Sequence, residues 1–252
     1  ENIKNAKKYE IRNKYKFLFL AILFTVYYYY PYKIEGIGYY NKIWAHRVNS
    51  LQKLNSALRY FDGIELDLVY NIDKDLLDVN HPPTKSIGLT FSEYLNILTK
   101  DNFPNIWLDL KNINESNAPD ILKRLLLLFN SKNYPLHKIL IESRRADQLN
   151  IFKNEGFKVT FYLPPNLYKK DSLSLYKSIL EIKNKIKAQP NIAISTSIED
   201  YDIIKKEFPN KAKYIWAIVR PIHFQHFDIR KVIKDKSVKV VLQNYNVIIG
   251  NR

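Results

Sequence analysis

Apolar and polar positions alternate in two rhythms along most of this chain. Short runs rich in Ile, Leu, Val and aromatic residues recur at Lys42–Ala45, Gly63–Val69, Asn105–Leu110, Lys138–Glu142, Phe157–Leu163, Asn191–Ser195, Tyr214–Val219 and Val238–Leu242. Between them lie stretches with helical patterning: Ser50–Tyr60, Thr90–Thr99, Ala118–Asn130, Ala146–Glu155, Ser172–Lys187, Ile198–Glu207 and a short one near Ile229–Lys234. Strand-like runs that alternate with helices predict a parallel sheet covered by helices. Eight such runs are the number that closes a barrel. The pattern therefore predicts an α/β fold, a single (β/α)8 barrel of TIM type over residues 43–252. Ser50 stands at one helix start, and Thr90-Phe91-Ser92-Glu93 fits a capping box at another. Asn71–Asp78 and Lys85–Gly88 form an excursion after the second strand.

The start of the chain follows a different rhythm. Phe17–Val26 is uninterrupted apolar sequence, followed by Tyr27–Tyr30, Pro31 and Tyr32. A full span takes about 17–25 residues, and the tyrosines, read as an interfacial belt, bring the run near that minimum. No small-x-small cleavage site follows it. Lys4, Lys7, Lys8, Arg12, Lys14 and Lys16 precede it and outweigh Lys33 and Lys42 beyond it. The positive-inside rule then predicts a basic cytoplasmic tail (1–16), a single-pass transmembrane or signal-anchor helix (17–32) and a linker (33–42). The barrel is expected on the extracytoplasmic side of the membrane.

Composition narrows the partners. The 252 residues hold no cysteine, which excludes disulfides and thiolate metal sites. A net charge of +15 suits anionic partners, including phospholipid headgroups. The basic residues are scattered, with no dense Arg/Lys run and no nucleic-acid motif, so nucleic acid is not the expected partner.

Candidate chemistry is concentrated early. Glu65 and Asp67 are two apart in Gly63-Ile64-Glu65-Leu66-Asp67-Leu68, which puts both on one face of a strand. Like charges on a buried strand are costly unless a cation sits between them. Oxygen ligands suit one Mg²⁺ or Ca²⁺. His46 and His81 flank the pair in sequence as candidate acid and base. Asp109 and Lys111 share a face on the next strand. His137, His223 and His226 are read as structural. Later strands end in Glu142-Ser143-Arg144, Tyr162, Thr196-Ser197, Arg220 and Gln243-Asn244, residue types that suit a polar pocket, with Glu142, Arg144, Tyr162 and Arg220 as the substrate-binding candidates.

The series His46-Arg47, Glu65-x-Asp67, His81, then Asp109-x-Lys111 resembles the glycerophosphodiester phosphodiesterases and their phospholipase-C-like relatives. Trp44-Ala45-His46, Val48-Asn49-Ser50, His81-Pro82-Pro83, Leu89-Thr90 and Leu108-Asp109-Leu110-Lys111 look like the menorin-type branch. The resemblance implies a (β/α)8 barrel in which Glu65, Asp67 and Asp109 hold the cation. It gives His46 and His81 the base and acid roles, in that order or reversed, and turns Arg47 and Lys111 toward phosphate. The implied substrate is a lipid headgroup, a glycerophosphodiester or an envelope phosphodiester, with hydrolysis or internal cyclisation as the outcome. Asp109 stands where the glycerophosphodiesterases commonly have Glu, and Pro82 where they commonly have Asp. Those departures leave a non-catalytic barrel, binding phosphorylated ligands or a partner protein at the membrane surface, as the alternative.

Overall fold

The structure, a computed structural model, describes residues 2–219 and 223–247, with side chains from residue 13 onward. Among the described residues nine strands form one sheet: β1 (Ile43–Ala45), β2 (Gly63–Asn71), β3 (Leu76–Val79), β4 (Asn105–Leu110), β5 (Ile139–Ser143), β6 (Lys158–Tyr162), β7 (Ala193–Ser197), β8 (Lys213–Ala217) and β9 (Val238–Gln243). All but β3 run parallel, and β1 pairs with both β9 and β2, which closes an eight-stranded barrel. The eight expected strands are all present. β3 was not foreseen; it folds back antiparallel on β2, pairing Leu68 with Val79 and Asn71 with Leu76.

Helices fill the connections: α2 (Leu51–Ala57), α3 (Phe91–Asn96), α4 (Ala118–Ser131), α5 (Asn150–Asn154), α6 (Ser172–Ile186), α7 (Tyr201–Glu207) and α8 (His226–Lys234). Their starts follow local chemistry. Ser50 Oγ accepts from the Lys53 N–H, and Thr90 with Glu93 completes the capping box.

Each strand divides its side chains between two environments. Ile64, Leu66 and Leu68 point outward and are fully buried under the helices, as are Ile106 and Leu108 of β4. The inward residues of the lower barrel form a separate plug of Trp44, Trp107, Leu140, Tyr214, Trp216 and Leu242. This plug fills the barrel's floor, so access to the inward polar residues is from the carboxyl end, where barrel sites lie. Gly63 is part of the fit: a Cβ there would lie 2.2 Å from Trp44 Cδ2. Gly63→Ala is expected to destabilise the protein by about 1–3 kcal/mol through overpacking, read as a lower urea midpoint with unchanged slope.

The amino-terminal helix α1 covers Asn2–Tyr29. Phe17–Leu20 and Ile22–Phe24 are exposed, as is Val26. No helix among the described residues is long and apolar enough to cross a membrane, so the transmembrane span expected over 17–32 is not supported. The run is uninterrupted for only ten residues, between a basic segment and a row of tyrosines. The expected linker, 33–42, is two 3₁₀ turns, Ile34–Gly36 packed against α8 and Tyr40–Lys42 against β9. Lys42 Nζ donates to the carbonyls of Ile233 and Asp235 at 3.0 and 3.1 Å. Glu35, only 3% exposed, accepts from Gln243 Nε2 at 3.2 Å.

Candidate active site

Parallel register assembles the site. β2 and β4 pair Asp67 with Asp109, and β4 and β5 pair Asp109 with Glu142, so three inward carboxylates stand at one level. Glu65 lies one inward position lower. Ligand oxygens of Glu65, Asp67 and Asp109 lie within 4.8 Å of one another, and all three residues are buried. His46, Arg47, His81, Lys111 and Tyr162 join them around a small inner cavity. That cavity opens into a wider depression of about 480 Å³ lined by His81, Asn112, Arg144, Arg145 and Tyr162.

The turn after β1 is shaped around Glu65. Arg47 takes a left-handed conformation, φ 51°, unusual for a residue with a side chain. Its N–H thereby donates to Glu65 Oε2 at 2.7 Å. Its guanidinium reaches the other way and donates to His81 Nε2 at 2.8 Å. Lys53 pins the same turn by donating to the carbonyls of His46 and Arg47 at 2.6 and 2.8 Å. Burial lowers the Lys53 pKa to about 8.

Asn49 holds Asp67 twice: its Nδ2 donates to Oδ2 at 2.6 Å, and its Oδ1 accepts the Asp67 N–H at 3.0 Å. Lys111 bridges Asp67 Oδ1, at 2.6 Å, and Asp109. Glu142 accepts from Trp107 Nε1 at 3.0 Å, and its Oε1 is buried without a hydrogen-bond partner. Arg144 stacks over the Tyr162 ring, 4.5 Å from its centre.

His46 Nδ1 donates to Asn244 Oδ1 at 2.7 Å. Its Nε2 then keeps a lone pair, and that lone pair faces Glu65 Oε2 at 3.8 Å. Two acceptors so placed are reconciled by a cation or a proton between them. Burial drives the His46 pKa down to about 4. Burial first, then Asp67, raises Glu65 well above the carboxylate range, and burial raises Asp109 as well. Glu142 is raised by burial and then by Asp109. Lys111 is raised by its two carboxylates, which outweigh its own desolvation.

These groups fit a dication. Three buried carboxylates face one ammonium, leaving about two negative charges to balance, and the donors are all oxygen. The lone pair of His46 and the orphaned Glu142 oxygen add further demand for positive charge or protons.

Every candidate drawn from β1, β2, β4 and the segments that follow them reaches this cluster, as do Glu142 and Tyr162, and Arg144 lines the depression outside it. Arg220 lies outside the described residues. Asn244, one of the polar strand-end residues expected to suit the pocket, reaches the site through His46; Asn49 and Lys53 carry no role in the sequence reading, although Val48-Asn49-Ser50 carried a family signal. His223 and His226 lie elsewhere and meet at Glu35, which accepts from His226 Nδ1 at 3.0 Å and lies 3.4 Å from His223 Nε2.

Fold and site together are those of a (β/α)8 barrel with an acidic mouth set between two imidazoles. Solved structures with this fold include a protein assigned as a glycerophosphoryl diester phosphodiesterase from Agrobacterium tumefaciens (TM-score 0.60, 13% identity, 81% of this chain and 94% of that one). A glycerophosphodiester phosphodiesterase from Parabacteroides distasonis matches at TM-score 0.54 and 13% identity over 81% and 92% of the two chains. An Oleispira antarctica phosphodiesterase, solved with the product sn-glycerol-3-phosphate, matches at 0.52 and 12% over 83% and 95%. No family model and no curated protein matches the chain. The (β/α)8 fold that the resemblance implied is thus borne out, and it is shared with solved glycerophosphodiester phosphodiesterases; the menorin-type branch is not confirmed.

Proposed function

We propose that the chain is a metal-dependent phosphodiester hydrolase. The observation that carries this reading is the convergence of Glu65, Asp67 and Asp109 between His46 and His81, with Arg47 and Lys111 alongside. Glu65, Asp67 and Asp109 would hold one Mg²⁺ or Ca²⁺, which supplies Lewis-acid stabilisation of charge on phosphate. The chain's own residues do the rest. His46, kept neutral by burial and oriented by Asn244, takes the proton of the attacking water through Nε2. Once Arg47 turns from His81 Nε2 toward a phosphate oxygen, that nitrogen is free to take up a proton from solvent, and His81 then gives it to the leaving alcohol. The planar guanidinium suits that oxygen pair, and Lys111 adds a point charge. Arg144 and Tyr162 line the depression outside and contact the leaving alcohol's substituent. The inner cavity is too small for a whole diester, so the leaving group extends outward.

The test is hydrolysis of bis-p-nitrophenyl phosphate and glycerophosphocholine with Mg²⁺ or Ca²⁺. Turnover that EDTA abolishes supports the reading. Turnover indifferent to EDTA, or none with either substrate and either metal, contradicts it.

His46 also makes folding depend on pH. Its folded pKa lies below the unfolded value of about 6.5. Between pH 6.5 and about 4 the unfolded chain binds a proton that the folded chain refuses, so stability falls as pH falls. Urea unfolding of His46→Asn at pH 7 and pH 5 should lose that share of the slope, on the order of 2 kcal/mol.

A further inference from the structure

We propose that the carboxyl face of this barrel rests on a lipid bilayer containing anionic phospholipid, which presents the scissile phosphodiester to the cleft; this rests on the phosphodiesterase reading. Phe224 is completely exposed and Phe227 is 88% exposed, both in the region joining β8 to the first turn of α8. Ile218, half exposed after β8, also lines the inner cavity. Large apolar side chains in water at the rim of a polar site are costly unless something apolar covers them.

The cover is indicated by α1, whose carboxyl end lies at the same corner. The Tyr27 ring meets the His226 ring edge-on, 6.5 Å between centres. Lys33 Nζ donates to the Tyr27 carbonyl and, at 3.4 Å, to that of Tyr28; Asn246 Nδ2, just beyond β9, donates to Tyr28 at 3.4 Å. The exposed apolar run of α1 thus begins beside the two phenylalanines. Both are held in place by a clasp on the buried Glu35 carboxylate. Gln225 N–H donates to His223 Nδ1 at 3.1 Å, so that ring's proton lies on Nε2, facing Glu35. His226 Nδ1 donates to the other carboxylate oxygen. A carboxylate held by two imidazole N–H groups is a fastening, and it joins the loop to the root of α1.

Dimensions and charge favour a bilayer as the occupant. The ten-residue run Phe17–Val26, apolar but for Thr25, makes about 15 Å of helix, half of a hydrocarbon core of about 30 Å. Because Lys14 and Lys16 continue the same helix just before the run, end-on insertion would bury charge, so α1 lies along the headgroup boundary with its apolar run against the acyl chains and Tyr27–Tyr30 at headgroup level, where tyrosine is favoured. Exposed Arg47, Arg144 and Arg145 around the cleft suit anionic headgroups.

The experiment uses the full chain carrying Phe224→Trp, since the three native tryptophans are buried. It is mixed with phosphatidylcholine/phosphatidylglycerol vesicles with brominated acyl chains. The expected result is a blue-shifted emission quenched by bromine. Phe224→Ser with Phe227→Ser should weaken vesicle co-sedimentation at least tenfold. It should lower kcat/KM on vesicle-borne lysophosphatidylcholine similarly, leaving bis-p-nitrophenyl phosphate hydrolysis unchanged. An unquenched tryptophan, or wild-type sedimentation of the double variant, overturns the proposal, as does a vesicle-free dimer that the double variant abolishes. Quenching in a protein without any phosphodiesterase turnover overturns the catalytic reading while leaving the membrane contact standing.

Discussion

Replacing His46 with alanine should lower kcat on a phosphodiester by about 10²–10⁴-fold, the usual contribution of a positioned general base. The physical reason is specific to this ring. Its Nδ1 is committed to Asn244, and burial keeps the imidazole unprotonated at neutral pH, so Nε2 is the proton acceptor facing the acidic cluster. KM should change little, because the proposed mechanism gives the ring contact with the attacking water and not with the bound diester. Asn244→Ala, which frees Nδ1, should also lower kcat, by a smaller factor. Steady-state rates with saturating Mg²⁺ or Ca²⁺ check both; a His46→Ala enzyme within threefold of wild type would remove His46 from the mechanism.

The second large effect is on stability. In the metal-free protein Lys111 is the cation that Asp67 and Asp109 share. Lys111→Met removes it and leaves buried carboxylates uncompensated, a change worth about 3–5 kcal/mol. The cost should be greater at pH 8 than at pH 6, since lower pH lets the raised Glu65 and Asp109 take up protons instead. A dication should offset it, adding about 2.7 kcal/mol at a hundredfold excess over Kd. Chemical denaturation with and without Mg²⁺ or Ca²⁺ reads both effects. Equal stability of wild type and variant in EDTA would show that the cluster is already neutral without Lys111.

Much of this architecture was readable in the residues because barrel strands obey simple rules. Glu65 and Asp67, two apart among outward Ile64, Leu66 and Leu68, could only face inward together. Apolar runs alternating with capped helices gave the strand count. β3 escaped notice because its segment is rich in Asp and Lys, with only Leu77 and Val79 buried. It folds as a hairpin on β2, outside the βα repeat. Asn244 and Asn49 were harder for a different reason. They are polar residues in connecting segments, and nothing local marks which carbonyl or carboxylate the closed barrel brings to them. The contact of His46 with Asn244 spans 198 positions and exists only because β9 closes on β1. Trp107 reads as packing, and it packs, yet its N–H also anchors Glu142. The stretch 33–42, with two glycines, has the composition of a linker; its burial depends on Glu35 finding Gln243 and the two histidines beside α8.

The central claim is that Glu65, Asp67 and Asp109 share one dication, and equilibrium binding of Mn²⁺, followed by its electron paramagnetic resonance signal, tests it directly. One ion per chain is expected for the wild type. Affinity should fall as pH drops, because protons compete for the raised carboxylates, and binding should be lost in Asp67→Asn and Asp109→Asn. No bound ion at millimolar Mn²⁺, or an ion retained at full affinity by both variants, would contradict the account.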